Sequence, residues 1–327
     1  TGPVTDPLHQ FGTAMFGDSD NARGSMPTNN HRLGTFDKFE NINASKFIEL
    51  NKTRGGTNGH GCMPGCIVRC STMFNDSSGE HVTSALEYET IAMLGSNLGI
   101  DDLDAIARMD RKCDEIGVDT IEIGCAIGIL NDVGLYNFGD VVKAETLLEE
   151  VAQGTPMGRV IGSGVVATAQ VYGIDRVPAV KGQGIPAHSA RSMKGWGVTY
   201  ATSPQGADHS AGAVGVELLS AEGHGERSRV SQINMAALDS TGLCWFTFIM
   251  GAPEIIVPMI NAFYGVNWTE EEYFEMGKEM LRQELAFNSK AGVAPDGLPD
   301  WMRNEPLGPT NAVFDVSQAD IDGVFDF

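Results

Sequence analysis

The sequence of 327 residues has no apolar run long enough to cross a membrane and few basic residues. A membrane-spanning helix needs about 20 consecutive apolar residues. The longest apolar stretch, residues 243–257, is interrupted by Thr247, Gly251, Pro253 and Glu254. Only 22 residues are Lys or Arg against 43 Asp or Glu, which gives a formal net charge of −21. This balance argues against nucleic acids and anionic membrane surfaces as partners, because their phosphate groups would be repelled.

Cysteine is also scarce, with six in the chain. A chain with 42% hydrophobic residues can bury a sizeable core and needs no disulfide scaffold. No secretory signal opens the printed sequence and three of the cysteines are clustered, so we expect metal-binding thiols in a reducing, cytoplasmic compartment. The opening Thr1-Gly-Pro-Val-Thr has no initiator Met, and we therefore expect that a preceding domain is missing.

The clustered cysteines, Cys62, Cys66 and Cys70, stand four residues apart around a Pro-Gly turn. Such spacing can direct several thiolates to one point, as a soft metal or an iron–sulfur cluster requires. An iron–sulfur cluster would need a fourth, remote thiolate, whereas a zinc site would normally show a second pair of ligands at a fixed distance. Spacing alone leaves iron–sulfur binding, zinc binding and a structural coincidence open.

A six-residue pattern occurs twice, as Asp114-Glu-Ile-Gly-Val-Asp119 and as Asp239-Ser-Thr-Gly-Leu-Cys244. Each copy is predicted to end a helix, and a glycine C-cap would explain either copy alone. Carboxylates beside such turns can also accept hydrogen bonds from the N–H groups of a heterocycle. The repetition therefore suggests two sides of one cofactor site.

Helical periodicity dominates the chain, and convincing strand patterns are scarce. Helices are predicted over residues 85–94, 102–116, 144–152, 156–172 and 226–239. The second of these helices would be capped by Asp101 or Asp102 and stopped by Gly117. The segment Thr269-Glu-Glu-Glu272 predicts a capping box at the start of another helix. Residues 120–130 fit a strand or a tightly packed helix. In the helix over 226–239, Val230, Ile233 and Ala237 are predicted to share one face.

These patterns predict an all-α, multihelical protein with two helical subdomains. The Pro- and Gly-containing segment 174–190 is the predicted boundary. The first subdomain, residues 1–175, would carry the cysteine cluster and the first Asp pattern, and the second, residues 176–327, the other Asp pattern. Cys113 and Cys125 fall within apolar patterns and are predicted to be buried and inert.

Taken together, the motifs resemble the tungsten- or molybdenum-dependent aldehyde:ferredoxin oxidoreductase family, specifically its second and third domains. The resemblance covers nearly the whole chain. Besides the cysteine cluster and both Asp patterns, it rests on Glu87-Tyr-Glu-Thr90, on Tyr200-Ala-Thr-Ser-Pro-Gln-Gly-Ala-Asp-His209 and on Asn304-Glu-Pro-Leu-Gly-Pro309.

The resemblance implies two cofactors and names their ligands in this chain. A 4Fe–4S cluster would be bound by Cys62, Cys66, Cys70 and Cys244. A bis-pterin cofactor would hold tungsten or molybdenum through its dithiolenes, without a protein ligand to the metal. One pterin would be held by Asp114 and Asp119, and the other by Asp239 and Leu243.

The resemblance also implies residues that handle protons near the metal. These would be His209 and one of two glutamates, Glu87 or Glu89, since the register allows either. A histidine and a glutamate can serve as acid and base near neutral pH. The implied reaction oxidises an aldehyde with water to a carboxylic acid and passes electrons through the cluster to ferredoxin or another iron–sulfur carrier.

The chain departs from the family pattern in two respects. Three residues separate Cys62 from Cys66, where the commoner pattern has two, and this leaves the substrate undetermined as an aldehyde or a related small molecule. The β-rich N-terminal domain of the family is not in the printed sequence, so we expect a fragment that lacks both cofactors. Two other hypotheses are a non-catalytic iron–sulfur electron-transfer module and a zinc-stabilised helical interaction domain.

Overall fold

The computed structural model describes residues 5–215, 217–250, 252–294 and 297–327. Helices dominate it, as predicted, but the prediction of an all-α protein is wrong because two small antiparallel sheets are present. Within the described ranges, no helix is both long and apolar enough to cross a membrane.

The first part of the chain combines helices with a three-stranded sheet. The helices are α1 Thr5–Phe11, α2 Met15–Arg23 and α3 Ala44–Arg54, and the strands are β1 Thr57–His60, β2 Ser71–Asn75 and β3 His81–Ser84. The order in the sheet is β1-β2-β3, with Thr57 opposite Met73 and Phe74 opposite Thr83. The loop of residues 61–70, which contains the three clustered cysteines, therefore connects two paired strands.

These strands lack a sequence signal because they have four or five residues and include Gly, Asn, His and Ser. Their alternation of apolar and polar side chains is too short to be recognised, and the pairing between strands supplies the stability that the sequence pattern does not indicate.

The central part of the chain is helical. It contains α4 Tyr88–Leu94, α5 Leu103–Ile116, α6 Thr120–Ile129, α7 Val141–Gln153, α8 Pro156–Ile161 and α9 Val165–Tyr172. Of the two caps predicted for α5, Asp102 is the one observed, since it accepts a hydrogen bond from the Asp104 N–H; the predicted stop at Gly117 is confirmed at φ +75°. Residues 156–172, predicted as one helix, form two helices separated around Gly164.

The ambiguous segment 120–130 is a helix because it packs closely against a neighbour. A Cβ atom on Gly124 would lie 2.6 Å from the carbonyl oxygen of Met93 on α4, so only glycine permits this approach. Cys113 and Cys125 are fully buried, as predicted.

The last part of the chain follows a two-stranded hairpin, β4 Ala179–Val180 and β5 Gln183–Gly184. Its helices are α10 Lys194–Thr202, α11 His224–Ser240, α12 Ala252–Tyr264, α13 Glu270–Ala291, α14 Asp300–Asn304 and α15 Gln318–Asp322. The capping box of Thr269 and Glu272 is confirmed at the start of α13. On α11, Ile233 and Ala237 are buried, whereas Val230 is 54% exposed.

Three apolar clusters stabilise the described part of the chain. The largest draws its buried residues from Ala14 to Ala187, the second from Val180 to Val324 and the third from Met235 to Tyr273. The division into residues 1–175 and 176–327 stays a prediction.

Candidate functional site

The cysteine loop lies at the surface between β1 and β2. Cys62 is exposed, whereas Cys66 and Cys70 are half-buried. Gly65 takes φ +83° at the turn, and the Arg69 N–H donates to the Cys66 sulfur at 3.4 Å. A cavity of about 710 Å³ runs along the loop and is bordered by His9 and His60. The loop thus presents its thiols to an open space.

Cys244 lies beyond the end of α11, yet it is close to this loop. Burial, the charge of Glu87 and then the charge of Cys244 raise the pKa of the Cys70 thiol to about 12, and Cys62 adds to the same effect. The fold therefore brings Cys62, Cys70 and Cys244 into one neighbourhood. Across the part of the chain that the structure describes, no three His, Cys, Asp or Glu side chains converge closely enough to hold a single metal ion.

Four cysteines from two separate segments fit an iron–sulfur cluster as a donor set, because a cluster takes thiolates from several directions around a core larger than one ion. All four are free thiols in this structure.

In both Asp-x-x-Gly turns the glycine adopts the left-handed backbone conformation. Gly117 takes φ +75° and Gly242 φ +74°, and a Cβ atom on either would meet no other atom within 4 Å. Asp114 and Asp119 flank the first turn and are exposed. Asp119 also caps α6, because its carboxylate accepts the Glu122 N–H at 2.7 Å. Each turn therefore has open space beside its glycine.

Asp239 of the second turn lines a cavity of about 700 Å³ between α11 and α13. Burial, and then the charge of Asp208, raises the pKa of Asp239. Gln232 lines the same cavity, and its buried Oε1 has no hydrogen-bond partner while its Nε2 donates to Thr202 at 2.8 Å. Unpaired acceptors of this kind fit a heterocycle that carries N–H groups, such as a pterin. Leu243 is half-buried and packs against the third apolar cluster.

Glu89 is the glutamate that the fold places beside His209. The Nε2 atom of His209 lies 3.9 Å from Glu89 Oε1. The other carboxylate oxygen, Oε2, accepts the N–H of Ala187 at 2.8 Å. Glu89 Oε1 is buried and has no hydrogen-bond partner. The hydrogen bond to Oε2 thus fixes the orientation of the carboxylate, while Oε1 can still accept a hydrogen bond or a proton.

Glu87 occupies a different place, although only one residue separates it from Glu89. Its carboxylate accepts a hydrogen bond from the Thr13 hydroxyl. Burial raises the pKa of Glu87 to about 7. Its charge acts on Cys70, so it lies on the cysteine side of the site. The geometry brings Glu89, and not Glu87, to His209.

His188 is a component of this site that the sequence did not reveal. Its Nε2 lies 3.7 Å from Glu89 Oε1, and its Nδ1 lies 2.7 Å from the Asp20 carboxylate. His188 belongs to the segment predicted as a domain boundary, and Asp20 to a region without a recognised motif. Their association depends on the packing of α2 against the segment that follows β5, where the Phe16 ring also contacts the His188 ring, and the sequence gives no signal for this packing.

The family model described as aldehyde ferredoxin oxidoreductase, domains 2 and 3, matches residues 1–322. A tungsten-containing aldehyde ferredoxin oxidoreductase of Pyrococcus furiosus is 30% identical to this chain, and the match covers 92% of this chain and 53% of that protein's length. The protein of the same description from Thermococcus kodakarensis is 28% identical, and the match again covers 92% of this chain and 53% of that protein's length. The aliphatic sulfonate oxidoreductase WOR-like subunit of Pyrococcus furiosus is 27% identical over 84% of this chain and 46% of its own. The chain spans about half the length of the relatives it matches.

A solved structure has the same fold. It is the active site complex BamBC of benzoyl coenzyme A reductase in complex with 1,5 dienoyl-CoA, with a TM-score of 0.68. The match covers 94% of this chain and 55% of that chain at 13% sequence identity. At this identity the likeness concerns the fold alone.

Proposed function

The chain belongs to the aldehyde ferredoxin oxidoreductase family, as its domains 2 and 3, and we propose that it contributes to a tungsten- or molybdenum-dependent oxidation of an aldehyde. In this reaction an aldehyde and water give a carboxylic acid, two protons and two electrons. The electrons would leave one at a time for ferredoxin or a similar iron–sulfur carrier. The observation that carries the proposal is the Glu89 carboxylate beside His209, whose Oε1 atom is buried and has no hydrogen-bond partner.

The residues that would hold the cofactors are those whose surroundings fit them. Cys62, Cys66, Cys70 and Cys244 would bind a 4Fe–4S cluster. The pterins would be held by Asp114 and Asp119 on one side, and by Asp239 and Leu243 on the other. When bound, the pterin-held metal supplies an acceptor for the electron pair that leaves the substrate.

Glu89 and His209 would handle the protons of the reaction. Glu89 Oε1 is unpaired and buried, so it can accept a proton that a water molecule or the substrate releases. The Ala187 N–H holds the other oxygen and fixes the direction of the carboxylate. His209, which is 32% exposed, could exchange that proton with solvent. A non-catalytic electron-transfer module would have no use for an unpaired carboxylate oxygen beside a histidine.

The test uses the full-length protein that contains this chain, purified without oxygen. We expect iron together with tungsten or molybdenum, visible iron–sulfur absorption and aldehyde oxidation. Replacing Glu89 by Gln keeps its size but removes the proton acceptor, and should lower kcat by about 10²- to 10⁴-fold. Glu80→Gln, at an exposed position before β3, is the matched control.

Two results would contradict the proposal. Zinc alone, without visible absorption, would exclude an iron–sulfur and tungsten or molybdenum enzyme. Unchanged kcat in Glu89→Gln, with the same metal content as the wild type, would exclude Glu89 as the proton acceptor.

A further inference from the structure

We propose that His188 is a positioning residue that acts through Glu89, and that Asp20 anchors it for this purpose. In this arrangement the imidazolium of His188 keeps Glu89 ionised and directs Glu89 Oε1 toward His209. The inference rests on the proposed function, since it assigns a role within the same proton-handling site.

Asp20 fixes which nitrogen of His188 faces the site. Asp20 is 2% exposed, and its Oδ2 accepts hydrogen bonds from His188 Nδ1 at 2.7 Å and from the Tyr88 hydroxyl at 3.0 Å. Because a carboxylate only accepts hydrogen bonds, Nδ1 must carry a proton. The other nitrogen, Nε2, is therefore the one directed toward Glu89.

The His188 ring has little freedom to turn away. It stacks on Trp196 with ring centroids 4.7 Å apart and planes 29° apart, and it meets the Tyr88 ring at 5.3 Å. The Tyr200 hydroxyl donates to the backbone carbonyl of His188 at 3.1 Å. Aromatic contacts with the ring, the hydrogen bond at Nδ1 and the hydrogen bond at the backbone carbonyl hold His188 in place.

Glu89 Oε1 is the point on which two histidines converge. Its distances of 3.7 Å to His188 Nε2 and 3.9 Å to His209 Nε2 are longer than a hydrogen bond. At 3.7 Å, an imidazolium at the buried His188 would still attract the negative carboxylate. An imidazolium at His188 would thus favour the ionised carboxylate without occupying the lone pair that accepts the proton.

The charges around His188 support this assignment. Burial lowers its pKa, but the charge and hydrogen bond of Asp20 and the charge of Glu89 outweigh burial, and the pKa is raised. The other titratable groups that face the ring are Tyr88 from α4, Tyr200 from α10 and His209. Burial raises the pKa values of both tyrosines, so they remain neutral.

The experiment compares His188→Gln and Asp20→Asn in the full-length holoenzyme with the wild type. Removing the imidazolium, or the carboxylate that sustains it, makes Glu89 harder to ionise. We expect the acid limb of the kcat/KM profile to move upward by about one pH unit or more in both variants. The pH at which the W(V) or Mo(V) electron paramagnetic resonance signal changes should move in the same direction. His81→Gln, at an exposed histidine, should leave both profiles in place.

Several results separate the possibilities. A uniform fall in kcat/KM without a shift of the acid limb would overturn the role of His188. Loss of metals from both variants would also overturn it, because it would show that His188 and Asp20 have a structural role. If only His188→Gln loses its metals, the pH profile of Asp20→Asn decides: an upward shift of its acid limb supports the proposal, and an unshifted limb overturns it. A wild-type protein without tungsten or molybdenum would overturn the proposed function itself.

Discussion

Asp110 is a buried carboxyl group on α5 that accepts a hydrogen bond from the Thr83 hydroxyl at 2.6 Å. Burial raises the pKa of Asp110 to about 6 from the model-peptide value of 3.8, although the Thr83 bond acts in the opposite direction. The folded protein therefore binds this proton more tightly than the unfolded chain does. The resulting stabilisation is complete below about pH 4 and is lost as the pH rises through about 6.

The first prediction concerns Asp110→Asn, which keeps the acceptor for Thr83 but cannot ionise. Between pH 4 and pH 7 the free energy of unfolding of the wild type should fall by about 1–3 kcal/mol more than that of the variant. Urea denaturation at several pH values measures this difference, with Asp175→Asn, at an exposed position after α9, as the control. Parallel pH dependence in wild type and Asp110→Asn would contradict the assignment.

Individual residues also mark the limit of what the sequence predicts about the site. The resemblance left Glu87 and Glu89 as alternatives, because a one-dimensional register does not say which way each side chain points. The fold separates them: Glu87 contacts Thr13, and Glu89 contacts the Ala187 N–H. The direction of a side chain at the start of a helix depends on what packs there, which here comes from distant segments.

At the scale of elements, helices were predictable where their ends carry chemical signals. The caps Asp102 and Gly117 defined α5, and the Thr269 capping box defined the start of α13. The short strands β1 to β3 were not predictable, since their stability depends on pairing with each other. The cysteine loop was recognised by its motif, but the strands that support it were not.

Glu122 shows how one side chain joins several elements. Its Oε1 accepts the N–H of Val165, the first residue of α9, and its Oε2 accepts the N–H of Gly184 in β5, both at 2.6 Å. The carboxylate thus satisfies a free N–H at a helix start and fixes the hairpin to α6. The hairpin precedes Ala187 and His188, so this contact supports the candidate site.

We predict that Glu122→Gln destabilises the protein by about 1–3 kcal/mol, because the amide has one acceptor oxygen and would turn its NH₂ group toward a backbone N–H. Chemical denaturation measures the change. Glu115→Gln on the exposed face of α5, where Glu115 pairs with Arg111, should cost only a few tenths of a kcal/mol. Equal losses in the two variants would show that the two hydrogen bonds do not stabilise the fold.

At the scale of the whole molecule, a segment near the start of the chain contacts a segment near its end. The Gly34 N–H donates to the Gly308 carbonyl at 2.8 Å. Near this contact, Arg176 Nε pairs with Glu305 at 3.0 Å and its guanidinium lies 3.8 Å from the centre of the Trp301 ring. A motif in the tail, residues 304–309, could be recognised from the sequence, but its position in the fold could not, because a contact between segments so far apart leaves no periodic pattern.

Arg191 is the buried residue on which this junction depends. It is 1% exposed, and its guanidinium donates to the carbonyl of Glu305 at 2.9 Å and to the carbonyl of His31. Burial, and then the charge of Arg176, lowers the pKa of Arg191 to about 10, so it remains charged at neutral pH. A lysine would keep the charge but not the planar fork that reaches two carbonyls at once.

We therefore predict that Arg191→Lys lowers the free energy of unfolding by about 2–4 kcal/mol, since a buried carbonyl would lose its partner and a compact ammonium would be poorly solvated. Because the lost contact joins the start and the end of the chain, the midpoint of urea denaturation should fall equally when followed by far-ultraviolet circular dichroism and by tryptophan fluorescence. Arg159→Lys, at an exposed position of α8, is the matched control and should change the midpoint little. If Arg191→Lys unfolds at the wild-type midpoint, the junction does not stabilise the fold. If only tryptophan fluorescence shifts, the tail is attached independently of the rest, and its contacts with residues 31–34 do not hold the two ends together as one cooperative unit.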